Sequence, residues 1–148
     1  MISFDTNIVF AALETSAPGH KQARTMLVEE ARNHRVLLCE LVLTEVYCLL
    51  RNPAVARHPL SAVDAVEAIE ALRRHKAWRI VDYVPEVADA MWKAAATPGF
   101  AFRNIYDVRI ALTLRHHGVT EFATRNVKDF QIFGFKRVWD PLVSDGRR

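Results

Sequence analysis

Arg35-Val36-Leu37-Leu38-Cys39-Glu40-Leu41-Val42-Leu43-Thr44-Glu45-Val46-Tyr47-Cys48-Leu49-Leu50-Arg51 reads as two elements in direct succession. Arg35–Cys39 predicts a strand, and Leu41–Arg51 a buried helix that Asn52-Pro53 terminates. The same strand-then-helix rhythm runs outward in both directions. Upstream, Ile2–Asp5 predicts a short strand and Thr6–Glu14 an apolar helix. Ala17-Pro18-Gly19 breaks that helix, and His20–Asn33 is amphipathic with Ala23, Met26, Leu27 and Ala31 facing inward. Downstream, Ser61 is an N-cap candidate for a helix over Ala62–His75, with Asp64 as a weaker capping-box partner. Val63, Val66, Ile69 and Leu72 fall on one side of that helix. Trp78–Tyr83 predicts a third strand, Val87–Ala96 a helix and Thr97-Pro98-Gly99 a turn. Ile105–His117 predicts a helix closed by Gly118. A strand at Glu121–Thr124, a short turn or helix at Lys128–Phe133 and a strand at Phe135–Trp139 complete the series. Such alternation implies a three-layer α/β/α sandwich with a mainly parallel sheet, one domain over residues 1–141 and a polar tail at 142–148.

The chain has 148 residues, enough to bury a substantial core in one domain. Its 51% hydrophobic and 25% charged content is that of a soluble globular protein. It has no long apolar stretch for a membrane span and no basic-then-apolar leader, so a cytoplasmic protein without a membrane association is expected. Cys39 and Cys48 are expected to be buried, reduced thiols. Neither CxxC nor HExxH occurs, which argues against zinc. The six histidines show no ligand spacing and suit surface or capping roles. Trp78, Trp92, Trp139, Phe100 and Phe102 suit packing, although Phe100-Ala101-Phe102-Arg103 also fits an exposed aromatic-basic element that stacks bases. The net charge of +3 weakly favours a polyanionic partner.

Three carboxylates stand where apolar residues would be expected. Asp5 ends the first strand, Glu45 sits inside the helix 41–51 and Asp107 inside the run Ile105–Leu112. Helical spacing surrounds Glu45 with Leu41, Val42, Val46, Cys48 and Leu49, so it should lie at the centre of a buried arc. Around Asp107 it places Ile110, Ala111 and Leu114, with Arg109, Thr113 and His116 turned away. Unpaired buried carboxylates cost several kcal/mol, roughly, and no Lys or Arg matches them, so a divalent cation is the expected compensation. Ligands of open parallel sheets bind beyond the carboxyl ends of the strands, where Asp5, Glu45, Asp107 and Asp129 can converge. Hard oxygen donors suit Mg2+ or Mn2+. Asp5 and Asp107 are expected as direct metal ligands, with Glu45 and Asp129 acting through water or on the nucleophile. Without metal the acids should repel, and at least one pKa should rise.

The motifs resemble those of PIN-domain nucleases: Ile2-Ser3-Phe4-Asp5-Thr6-Asn7, Leu43-Thr44-Glu45-Val46, Tyr106-Asp107-Val108-Arg109-Ile110-Ala111, and Thr124-Arg125-Asn126-Val127-Lys128-Asp129-Phe130. Their order and spacing over residues 1–140 are most similar to the VapC-type ribonuclease toxins of bacterial type II toxin–antitoxin systems. The resemblance implies an endoribonuclease that hydrolyses RNA phosphodiesters with Mg2+ or Mn2+, using Asp5, Glu45, Asp107 and a fourth acid. The fourth acid is expected at Asp129, because Asn126 is neutral where relatives often carry a carboxylate. Asn7, Thr124 and Asn126 then match polar positions around the site, and Arg103 a phosphate contact. The resemblance also implies a homodimer blocked by a cognate, VapB-like antitoxin, for which residues 40–75 offer a clamp. Two alternatives stand beside this reading. One is a catalytically idle PIN module serving as an RNA-binding or assembly scaffold. The other is a phosphatase-like domain, against which the neutral Asn7 argues.

Overall fold

A computed structural model describes residues 1–33 and 35–143. His34 and positions 144–148 of the polar tail lie outside the described residues. Five strands form one sheet in the order β3-β2-β1-β4-β5: β1 (Ile2–Phe4), β2 (Val36–Cys39), β3 (Trp78–Val81), β4 (Glu121–Ala123) and β5 (Arg137–Trp139). Every pairing is parallel, with Ile2 opposite both Val36 and Glu121, so the sheet is wholly rather than mainly parallel. The reason is the connectivity. Each of β1 to β4 is followed by helix, so no pair of strands is joined by the short hairpin that an antiparallel pair permits.

The helices are α1 (Thr6–Leu13), α2 (His20–Arg32), α3 (Glu40–Arg51), α4 (Ala62–Arg73), α5 (Pro85–Ala95), α6 (Ile105–His116) and α7 (Val127–Phe130), with 3-10 turns at Phe102–Asn104 and Gln131–Phe133. α1 packs on α2 and α3, α3 on α4, and α5 on α6. The central strands β1 and β2 are buried at every position, as strands covered on both faces must be. The edge strands β3 and β5 are partly exposed, and β5 is short and carries Arg137.

Local chemistry sets the boundaries. Ser61 Oγ accepts from the Asp64 amide at 3.1 Å and donates to Asp64 Oδ2 at 2.7 Å, so the predicted pair caps α4 through the hydroxyl. Gly118, at φ +84°, ends α6 in the left-handed region that L side chains rarely adopt. Gly19 precedes α2 at φ +78°, and a Cβ there would lie 3.1 Å from Leu142. Leu142 packs on the core, so the first residue of the expected tail is held by the fold.

Three expected helix faces differ. Val63 is 67% exposed and Val66 is also exposed; of the expected side of α4 only Leu72 is buried and Ile69 partly so, with Ala65 and Ala68 completing the packed face. Thr113 is buried rather than turned away, because α6 is wrapped by β2, α5 and α7. On α3 the buried set is Val42, Leu43, Val46 and Leu50. Glu45 therefore flanks that stripe and is only half-buried. Cys39 is buried as expected, whereas Cys48 is exposed on the cleft side of α3. Trp78 and Trp139 pack against the core, but Trp92 and Phe102 are exposed, Phe102 by 82%.

Candidate active site

The order β2-β1-β4 makes the junction of β1 and β4 the point where successive connections leave in opposite directions. Open parallel sheets form a crevice at such a point, beyond the strand ends. Asp5 follows β1 there and Thr124 follows β4. The Asp5 amide donates to the Ala123 carbonyl at 2.9 Å, and the Thr124 amide to the Trp139 carbonyl at 2.9 Å. Both residues are thereby held by their main chain at the carboxyl end of the sheet.

Asp5 is the N-cap of α1 in extended conformation, and its Oδ1 accepts from the Thr6 amide at 2.8 Å. Its Oδ2 accepts from Thr124 Oγ1 at 2.6 Å and from Asn7 Nδ2 at 2.9 Å. Thr124 Oγ1 in turn accepts from the Asn126 amide at 2.9 Å, and the Asn7 carbonyl oxygen accepts from the Arg125 amide at 3.2 Å. Asp5, only 5% exposed, is thus an acceptor held in one orientation by three donors. An acid at position 7 would be needed for the phosphatase-like reading; the amide found there is a donor to Asp5 instead.

Glu45 enters from α3, where its Oε2 accepts from Thr6 Oγ1 at 2.5 Å. Thr6 is a site residue that the sequence reading passed over; nothing in its spacing distinguishes it from an ordinary first-turn threonine. Asp107 stands in the first turn of α6, where free backbone N–H groups favour an anion. Asp5, Glu45, Asp107 and Asn126 line one open cleft of about 550 Å³. Leu41, Leu49 and Tyr106 add apolar lining, and Leu41 and Leu49 belong to the arc expected to be buried around Glu45. No described histidine lines it.

The charges are close enough to feel one another. Burial pushes the Asp107 carboxyl up to about 6, and the Asp5, Glu45 and Asp129 charges push in the same direction. Burial likewise raises Asp5, against the lowering bonds from Thr124, Thr6 and Asn7. Glu45 is raised by burial, opposed by the Thr6 bond and reinforced by Asp5.

Asp129 does not line this cleft. It lies on a neighbouring cleft of about 380 Å³ that has Asp107 in common with the first. Its short helix is pinned by Phe130, wholly buried with its ring 4.6 Å from that of Phe122 on β4. Arg103, exposed in the turn before α6, lines neither cleft. Among the described residues no three Asp, Glu, His or Cys side chains are grouped closely enough to hold a metal ion by themselves.

A parallel sheet bearing acids at its switch point defines a class, and this chain belongs to the PIN-domain family, whose match spans residues 2–136. Within it the chain is of the VapC type. Ribonuclease VapC24 of Mycobacterium tuberculosis, from two strains, is 50% identical over 146 residues, covering 99% of this chain and 100% of the relative. Among solved structures, Mycobacterium tuberculosis VapC20, a sarcin-ricin loop cleaving toxin, aligns with a TM-score of 0.68 at 19% identity. That alignment covers 91% of this chain and 96% of VapC20. A toxin–antitoxin complex from Klebsiella pneumoniae aligns at 0.60 and 18% identity, over 95% of this chain and 98% of its counterpart. At such identities these structures speak for the fold alone.

Proposed function

We propose that this chain is a divalent-metal-dependent endoribonuclease of the VapC type, a toxin restrained by a cognate antitoxin. The observation that carries the reading is the cluster of Asp5, Glu45 and Asp107 in one open cleft, each with its pKa raised. Carboxylates brought together at such a cost suit a cation that neutralises them. The donors fit Mg2+ or Mn2+, which keep several waters and need only one or two protein carboxylates beside substrate phosphate. Asp5 and Asp107 would be those ligands. The bound ion would lower the pKa of a coordinated water and offset charge at the scissile phosphate.

The protein's own groups supply the rest. Thr124 and Asn7 aim Asp5, and Asn126 fixes the Thr124 hydroxyl through its amide. Glu45, steered by Thr6, would orient or deprotonate the attacking water. Asp129 would act from the far side of Asp107, through water. Arg103, exposed beside the start of α6, would hold a phosphate of the RNA. The exposed Val63 and Val66, with the groove between α3 and α4, would receive the antitoxin, and the toxin would pair as a homodimer. No described helix is long and apolar enough to cross a membrane. With an RNA substrate and an antitoxin partner, the protein would act in the cytoplasm.

The test is cleavage of mixed tRNA and rRNA by purified, antitoxin-free protein with Mg2+ or Mn2+, with EDTA, and as Asp5→Asn. Discrete cuts that need both metal and Asp5 support the nuclease. Metal binding without cutting would replace it with an idle RNA-binding module.

A further inference from the structure

The chemistry above uses only the acidic rim of the second cleft, Asp107, which it shares with the first, and Asp129. An RNA strand whose phosphate sits at Asp5 and Asp107 would carry its next nucleotide toward this cleft. From that continuity we infer that the cleft is a subsite for one unpaired nucleobase flanking the scissile phosphate. This inference rests on the ribonuclease reading.

The lining fits a base. Pro98, Phe100, Ile132 and Phe133 provide apolar surface, and Ile132 is 80% exposed. A volume of about 380 Å³ is in the range of small-ligand pockets. Planar bases stack on aromatic and apolar side chains irrespective of identity, so such surface binds a base without reading it. Discrimination needs polar groups at its edge. Thr97 and Asn104 supply these on the same cleft, and among the described residues neither side chain has a protein hydrogen-bond partner.

Continuity with the acidic cleft through Asp107 favours RNA as occupant, and two cations stand next to lining residues in the chain. Arg103 adjoins Asn104 in the chain, and Lys128 adjoins Asp129. Both side chains are exposed, as the phosphates of a bound strand would require. Two exposed cations beside an apolar cleft suit the phosphates on either side of a bound base. The base must be unpaired, because an A-form duplex keeps its base faces stacked and only loops, bulges and ends splay them out.

The experiment uses the four ribonucleoside 5′-monophosphates as probes, with saturating Mg2+, followed by backbone amide shifts of the 15N-labelled full chain. At least one nucleotide should shift the amides of Gly99, Phe100, Ala101 and Ile132 together. Ala101→Trp, which fills the cleft from an exposed position, should weaken that binding about tenfold or more. Phe100→Ala provides a second variant that removes the stacking face without adding bulk. Shifts confined to the acidic cleft, or unchanged in both variants, would overturn the inference. So would the same amides responding only when nucleotide-free protein is concentrated, or only to an antitoxin peptide, since either result identifies a protein occupant. RNA cleavage by the wild type is scored separately. Its absence would refute the nuclease while the nucleotide shifts still decide the subsite.

Discussion

Thr124 Oγ1 lies 2.6 Å from Asp5 Oδ2, joining the ends of two adjacent strands that are 119 positions apart in the chain. The hydroxyl donates to the carboxylate and accepts from the Asn126 amide, so one side chain orients Asp5 and the start of the loop toward α7.

Thr124→Val keeps the shape and removes these bonds together with the longer one accepted from Asn7 Nδ2 at 3.5 Å. The buried Asp5 oxygen and the Asn126 amide lose a partner, at a cost of about 1–3 kcal/mol. Thermal melting should show that loss, and calorimetric titration should show weaker Mg2+ binding. Thr124→Ser should restore most of both. Unchanged Mg2+ affinity in the valine variant would leave Thr124 with a structural role only.

Metal-free protein should gain stability as pH falls from 7 to 5. Asp107 titrates at about 6 in the fold, against an ordinary value of 3.8, and Asp5 and Glu45 are raised in the same direction. Between those values the folded state binds more protons than the unfolded chain, so stability falls as pH rises. The contribution is fully present below the unfolded value and is lost as pH rises through about 6. Asp107 is half-exposed, so solvent screening leaves about 1–2 kcal/mol from it. Melting curves in EDTA at pH 5, 6 and 7 measure the trend, and a rise in Tm toward pH 7 would contradict it.

Asp107→Asn removes a charge that the other acids oppose. In EDTA at pH 7 the variant should melt a few degrees higher than wild type, on the order of 1 kcal/mol. The same variant should lose most of the Tm increase that Mg2+ gives the wild type. Both effects are needed; a variant that still responds fully to Mg2+ would exclude Asp107 as a ligand.

Phe130→Ala tests how Asp129 is held. The ring is wholly buried against Phe122, so truncation should cost about 3–5 kcal/mol. Loss of the anchor frees the short helix, and RNA cleavage should fall beyond what the remaining folded fraction explains. Phe130→Leu, which retains most of the volume, should recover stability first and cleavage with it.

Strand and helix succession, the caps at Ser61 and Gly118, and the acids Asp5, Glu45 and Asp107 were all legible, because each depends on near neighbours in the chain. The faces of α3, α4 and α6 were not. Periodicity gives an angle around a helix axis but not what lies opposite. Val63 and Val66 are therefore left exposed, Thr113 is enclosed from several sides, and Glu45 looks across a cleft rather than into the core.

The sequence by itself determined that strands alternate with helices, that acids stand at a strand end and inside apolar helical runs, and that the motifs are those of a PIN domain. These are properties of local spacing and residue type. Tertiary structure alone decided the strand order β3-β2-β1-β4-β5, that Thr6 serves Glu45, and that Asp129 stands on a second cleft joined to the first through Asp107. Those relations are made by residues far apart in sequence. Only the packing of helices on the sheet brings them within reach of one another.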